Sequence, residues 1–202
     1  VIAGFRNGWL RAFFVEDISS RNIPFDLESR LFRKLQMIDD ATPDQDLRVP
    51  PSNHFEKLKG NLDGFHSIRV NKQWRLVFRW TEAKRLTYIL TTIAIDEVTK
   101  MLMTARKPAT VGEILVEEFM QPFGLTQLAL SEAMGVPRKH VNELCNARRT
   151  VTAPTALILA RVFGNSPDFW LNAQRRTDLW EAMHSPREIE RVGRAKPLAS
   201  AA

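Results

Sequence analysis

Two periodicities divide this chain near its middle. Over residues 9–14 (WLRAFF) and 26–40 (DLESRLFRKLQMIDD) apolar side chains recur at helical spacing. In the second stretch Leu27, Leu31, Leu35 and Ile38 share one face, and Arg30, Arg33 and Lys34 fall off it. Asp26, just after Pro24, is placed to cap that helix, because its carboxylate can accept the unpaired amides of the first turn. Pro43, Pro50 and Pro51 forbid continuous helix beyond it. From residue 65 the pattern changes to FHSIRV, QWRLVFRW and RLTYILTTIAI, segments rich in β-branched and aromatic residues. They predict a three-stranded antiparallel meander with turns at Asn71-Lys72 and at residues 81–84. Two helices followed by a meander make a small α+β domain.

The second half carries no strand pattern. VGEILVEEFMQPFG, TQLALSEAMG, PRKHVNELCNARR, APTALILARVFG and SPDFWLNAQRRTDLWEAMH each show helical periodicity. Gly124, Gly135 and Gly164 fall where helices stop. Thr126, Thr152 and Ser166 precede helical runs as caps, and Pro137, Pro154 and Pro167 stand at or near first helical positions, where a missing amide costs nothing. The expected unit is an all-α domain of five short helices. Between the halves, TTIAIDEVTKMLMTARKPAT (91–110) starts as a strand and passes through charges to Met101 and Met103, then becomes polar. The chain therefore divides into residues 1–94, a linker over 95–110, a helical domain over 111–184 and a polar tail over 185–202 expected to fray.

At 202 residues there is room for two cores of this size, and hydrophobic residues make up 44% of the chain. No apolar run approaches the roughly 20 residues needed to cross a bilayer, so no membrane partner is expected. Cys145 is the only cysteine, which excludes an internal disulfide, and the N-terminal residues lack a signal-peptide pattern; a reducing cytoplasm is the expectation. The net charge of +6 and pI near 9.8 favour polyanionic partners.

The sharpest local signal is LTQLALSEAMGVPRKHVNELCNARR (125–149). A helix ends at Gly135, and after a very short turn another begins near Pro137. Ala129 is small where two helices cross, and Leu130, Met134, Val136, Val141 and Leu144 supply the seam. This reads as a helix-turn-helix, whose second helix enters the major groove of DNA. Its outward face offers Arg138, Lys139, His140 and Asn142, and Arg or Asn can make bidentate contacts to guanine or adenine edges. Gln127, Arg148 and Arg149 are placed to hold phosphates. Cys145 fills a packing position. Residues 108–172 resemble the HigA antitoxins of the phage-repressor-like helix-turn-helix superfamily, on "PATVGEILVEEFMQPFGLTQLALSEAMGV", "VNELCNARRTVTAPTALILARVFG" and "SPDFWLNAQ". The resemblance implies operator DNA, a toxin partner and a homodimer, for which Phe169, Trp170, Leu171 and Trp180 supply apolar surface.

In the first half "PPSNHFEKLKGNLDGFHSIRVNKQWRLVFRW" (50–80) resembles the HigB toxins of the RelE superfamily, and the likeness covers roughly residues 2–90. That family cuts mRNA on the ribosome without a metal, so no cofactor is implied. Cleavage needs a base for the ribose 2′-OH, cations for the charge developing on phosphorus and an acid for the leaving oxygen. The matching positions are Lys59, Arg69 and Arg75, in a region from Lys57 to Arg85 whose only acids are Asp63 and Glu82. His54 and His66 are available acid/base groups, and neither spacing nor a partner singles one out. Where such toxins finish with an Asp-Tyr-His-like tail, this chain reads "YILTTIAIDEVTK" and runs on, with Tyr88 inside the strand. The simplest account is two neighbouring genes in one reading frame, with the catalytic tail erased by a frameshift. The leading expectation is a DNA-binding autorepressor joined to an inhibited or inactive toxin domain whose halves bind each other. The alternative is a ribosome-dependent endoribonuclease released by proteolysis near 95–110, and a third is RNA binding without cleavage.

Overall fold

Helix α1 (Gly8–Glu16) and helix α2 (Glu28–Asp40) cross through aromatic rings, with Phe32 5.3 Å from Phe14 and 6.3 Å from Phe13. These distances come from a computed structural model that describes residues 2–80 and 104–195. The face predicted for α2 is the buried one: Leu27, Leu31, Leu35 and Ile38 all lie in the core. Its start differs from the expectation. Pro24, with φ fixed at −58°, launches a 3₁₀ turn over Phe25–Leu27, and the helix proper follows from Glu28 with no side-chain cap from Asp26. Lys34, which lies off the apolar face, is buried rather than solvated.

A short helix α3 (Gln45–Arg48) leads to an antiparallel sheet in the order β1 (Glu56–Lys57), β2 (Phe65–Arg69), β3 (Arg75–Arg79). Asn71 makes the β2–β3 turn where the sequence placed it, its side-chain oxygen accepting the amides of Gln73 and Trp74 at 2.8 Å each. Ile68, Leu76 and Phe78 alternate inward onto the helices. β1 carries no predictive signal, being two exposed residues. The strand expected over 85–95 lies outside the described residues. Among the described residues, β2, β3 and the two helices line an apolar cleft of about 850 Å³ that includes Trp9, Leu31, Phe65 and Trp74.

The C-terminal half is helical throughout the described residues. Helix α4 (111–123) opens on a capping box in which Thr110 and Glu113 satisfy each other's amides, and its middle, Leu115–Met120, widens to a π-helix. α5 (Gln127–Met134), α6 (Arg138–Cys145), α7 (Ala153–Phe163) and α8 (Pro167–His184) follow. Thr126 and Ser166 cap as expected, accepting the amides of Ala129 and Phe169. Thr152 holds the N-cap position without a cap bond and sets its hydroxyl 3.3 Å from that of Thr155. Phe119, Phe163, Phe169 and Trp170 stack into one core, with Phe119 4.8 Å from both Phe163 and Trp170.

Two expectations for this half need revision. Phe169 and Trp170 have 0% exposure within the single chain, so they close its core and have no surface left for a second copy. The segment after 184 does not start as a frayed tail. It forms α9 (Pro186–Gly193), in which Glu188–Arg191 and Glu190–Arg194 pair at helical spacing and support a helix that buries nothing.

Gly112 marks a close backbone approach in this half. A Cβ there would meet the Leu144 carbonyl oxygen and lie 2.7 Å from that of Cys145, so α4 crosses the end of α6 backbone to backbone. Gly112→Ala is expected to destabilise the chain by about 1–3 kcal/mol, the usual cost of overpacking, read from urea unfolding midpoints. An unchanged midpoint would mean that the two helices are not this close.

Candidate nucleic-acid interfaces and the joint between the halves

The helix-turn-helix is built as its pattern requires. α5 ends on Gly135 in the left-handed conformation (φ 65°), and Val136 and Pro137 carry the chain directly into α6. Leu130, Met134, Val141 and Leu144 are buried between the helices, which rotates Arg138, Lys139 and Asn142 to the exposed side. The Asn142 amide donates to Gln127 Oε1 at 3.1 Å, so the structure brings together two residues predicted separately on α5 and α6. Arg148 is exposed, and Arg149 pairs with Glu143 at 2.8 Å, which also lies 3.9 Å from Lys139. Exposed pairs of this kind contribute about 0–1 kcal/mol and exchange readily for a phosphate. His140 is half-buried; burial lowers its pKa, and its Nε2 has no hydrogen-bond partner among the described residues. Asn146 was missed. It is exposed one turn beyond Asn142 and donates to the Asn142 carbonyl, and its i, i+4 spacing was the available signal.

The N-terminal sheet presents a second cationic surface. Arg69 and Arg75 are direct register partners across β2 and β3, so they share a face, as strand alternation predicted. Arg75 is not free. Its guanidinium donates to the Ser67 hydroxyl (3.0 Å) and the His54 carbonyl (2.6 Å) and pairs with Glu56 at 3.2 Å, an acid just ahead of the basic stretch. Lys59 stands exposed in the β1–β2 loop. His66 stacks between Phe55 and Phe78, and burial lowers its pKa; His54 is exposed. Among the described residues no group of three His, Cys, Asp or Glu converges as metal ligands. Tyr88 and the sequence that replaces the tail lie outside the described residues.

The feature that the sequence did not disclose is the joint between these surfaces. The polar side of α2 is buried against the C-terminal half. The Lys34 ammonium donates to Glu118, to Ser52 (2.8 Å) and to Asn53 (2.6 Å), and Arg33 Nε donates to Glu118 at 3.0 Å. The Lys34 and Glu118 side chains are 1% and 2% exposed. Burial works against the Glu118 charge, yet the Lys34 ammonium and the bonds from Ser52 and Arg33 hold its carboxyl below the usual carboxylate range. At the other end of α2 the guanidinium of Arg176, from α8, pairs with both Asp39 and Asp40. Burial pushes Asp40 up, and Arg176 pulls against it. Gln36 exchanges two hydrogen bonds with the Ala109 backbone, and Asp46 accepts both the amide and the hydroxyl of Ser166. The end of the expected linker belongs to this joint as well: Arg106 lies over Phe13 and Phe32 and reaches Asp17 and Glu28. One clue was present in "MIDD". Two acids ending a helix oppose its dipole and call for a cation.

Comparison with known proteins fits this two-part construction. Residues 3–91 match the family model of the HigB-like toxins, described as the RelE-like toxin of type II toxin-antitoxin system HigB, and residues 116–170 match the helix-turn-helix family. These matches define a toxin and an antitoxin of the type II class carried on one chain. The chain belongs to the HigB-like toxin family over its first half and to the HigA-type helix-turn-helix antitoxins over its second. It is 50% identical over 86 residues to Toxin HigB-1 of Vibrio cholerae serotype O1, a match covering 42% of this chain and 90% of that protein. It is 47% identical over 98 residues to Antitoxin HigA-1 of the same strain, covering 48% of this chain and 90% of that protein. A solved structure of antitoxin GraA in complex with its operator is 36% identical and covers 47% of this chain and 95% of that one, with a TM-score of 0.44.

Arg176→Ala leaves two buried carboxylates without their counter-ion and is expected to cost about 3–5 kcal/mol in urea unfolding. The stability lost in Glu118→Gln is expected to be full at neutral pH and to shrink as the pH falls through 4.5, the ordinary value for this group. The folded-state pKa is depressed, so the unfolded chain takes up the proton first and the carboxylate's contribution is lost on acidification. A difference that grows on acidification would contradict the assigned pairing.

Proposed function

We propose that this chain is a DNA-binding autorepressor whose toxin domain is held inactive by the antitoxin domain joined to it. The observation that carries the reading is the division of labour around α2 and α6. The polar side of α2 is taken up by the C-terminal half, whereas Arg138, Lys139 and Asn142 of α6 make no hydrogen bond or ion pair to the N-terminal half among the described residues. The protein can therefore hold its toxin domain and present its recognition helix at the same time. Arg138 and Asn142 read base edges, while Gln127, Lys139, Arg148 and Arg149 position the helix on phosphates. Two copies joined through the antitoxin half bind a palindromic operator in the cytoplasm, with steep salt dependence from the phosphate contacts.

Inhibition is intramolecular. Tethering keeps the two domains at high effective concentration, so the toxin domain is made already neutralised. The alternative of a ribosome-dependent nuclease draws on Arg69 and Arg75 standing together on one sheet face, with Lys59 on the neighbouring loop. Against it stand the Arg75–Glu56 pair and the absence from this sequence of the Asp-Tyr-His-like tail that carries acid/base chemistry in the toxins this half resembles.

Two measurements separate these readings. Arg138→Ala and Asn142→Ala are each expected to weaken operator binding by about 1–3 kcal/mol at fixed salt, measured by anisotropy with the operator duplex. Unchanged affinity removes the groove-reading role. Expression of residues 1–94 without the antitoxin half is expected to be harmless. Growth arrest with mRNA cleavage, abolished by Arg75→Ala, would support the enzyme instead.

A further inference from the structure

A cleft of about 600 Å³ opens at the joint, and its charges are sorted by half. The cations lining it come from the N-terminal half: Arg30, Arg33 and Lys34 on α2, with Arg69 and Lys72 beside the β2–β3 turn. Its acids, Glu117 and Glu118, both come from α4 of the C-terminal half. Lys34 and Arg33 are engaged by Glu118, and Glu117 reaches Arg33 at 3.7 Å while staying exposed. The side chains of Arg30, Arg69 and Lys72 make no ion pair or hydrogen bond among the described residues. Five like charges around one concavity focus a positive potential, which buried Glu118 and exposed Glu117 offset only in part. A carboxylate placed on a guanidinium or an ammonium meets it as a phosphate would.

We propose that this cleft binds the phosphate backbone of RNA, and that Glu117 and Glu118 occupy it as internal phosphate mimics, so the docked antitoxin half competes with RNA for the same cations. Arg30, Arg33, Lys34 and Lys72 thereby join the RNA surface, which shares only Arg69 with the residues assigned to charge stabilisation. This rests on the reading of the N-terminal half as an RNA-acting domain, and it identifies what the antitoxin half displaces. Arg30, Arg69 and Lys72 draw a strand to the cleft, and the two carboxylates deny it Arg33 and Lys34.

The test uses the full chain and two probes, a labelled single-stranded RNA and inorganic polyphosphate, titrated at several salt concentrations. Glu117→Gln removes an exposed charge and leaves the buried Lys34–Glu118 pair intact. It is expected to bind both probes about three- to tenfold more tightly, with a salt slope steeper by about 0.7 for each phosphate contact regained. Glu117→Gln with Glu118→Gln should gain more. Adding Arg30→Ala and Lys72→Ala to Glu117→Gln should abolish the gain, which separates the cleft from RNA binding elsewhere on a basic protein. If folded Glu117→Gln binds neither probe more tightly, the mimicry is wrong and the reading of the domain is untouched. If polyphosphate gains and RNA does not, the RNA assignment falls, and with it the RNA-acting reading of the N-terminal half.

Discussion

Helix α2 has too many polar groups inside. From Leu31 to Asp40 it is buried on nearly every side, and Lys34, Gln36, Asp39 and Asp40 go inside together with the leucines. Each buried polar group without a partner costs about 1–3 kcal/mol, and charged ones cost more. The N-terminal half alone supplies Ser52 and Asn53 to Lys34 and the Ile2 amide to Asp39. Glu118, the Ala109 backbone and Arg176 complete the set from the other side. The two halves are thus obliged to sit in one arrangement, because any other leaves buried charge uncompensated.

Buried ion pairs are poor sources of net stability and good sources of penalty when broken. That asymmetry suits a neutralising contact. Three separate clusters, at Lys34–Glu118, Arg176–Asp39–Asp40 and Asp46–Ser166, must open together for the halves to part. All three are made by residues outside 81–103. The joint also decides which surfaces remain: the outward face of α6 is left for DNA, and the sheet face around Arg69 is bordered by the antitoxin's acids.

Much of the architecture was legible in the sequence, for local reasons. Glycine and proline punctuation, the capping residues and the 3.6-residue period located α5 to α8, because those signals act within a few residues. The Arg69–Arg75 juxtaposition was readable too, since two strands and a turn at Asn71 set the register. What stayed hidden was long-range. Lys34 lay off the apolar stripe, where a lysine is ordinarily solvated, and its burial depends on Glu118, 84 positions away in sequence. Phe169 and Trp170 looked like surplus apolar surface because their partners, Phe119 and Phe163, sit on other helices. Asp26 lost its capping position because the chain already turns at Pro24, two residues earlier, which draws Asp26 into a 3₁₀ turn. Even so, acids ending α2 and acids inside the apolar run ILVEEFM broke the local pattern, and both breaks mark the joint.

These halves are held together by their own buried contacts. Placing a protease site within residues 92–103, cutting the purified protein and passing it over a sizing column at micromolar concentration tests this directly. The two fragments are expected to co-elute as one species. Separation of the cut fragments on dilution, with each still folded, would contradict it.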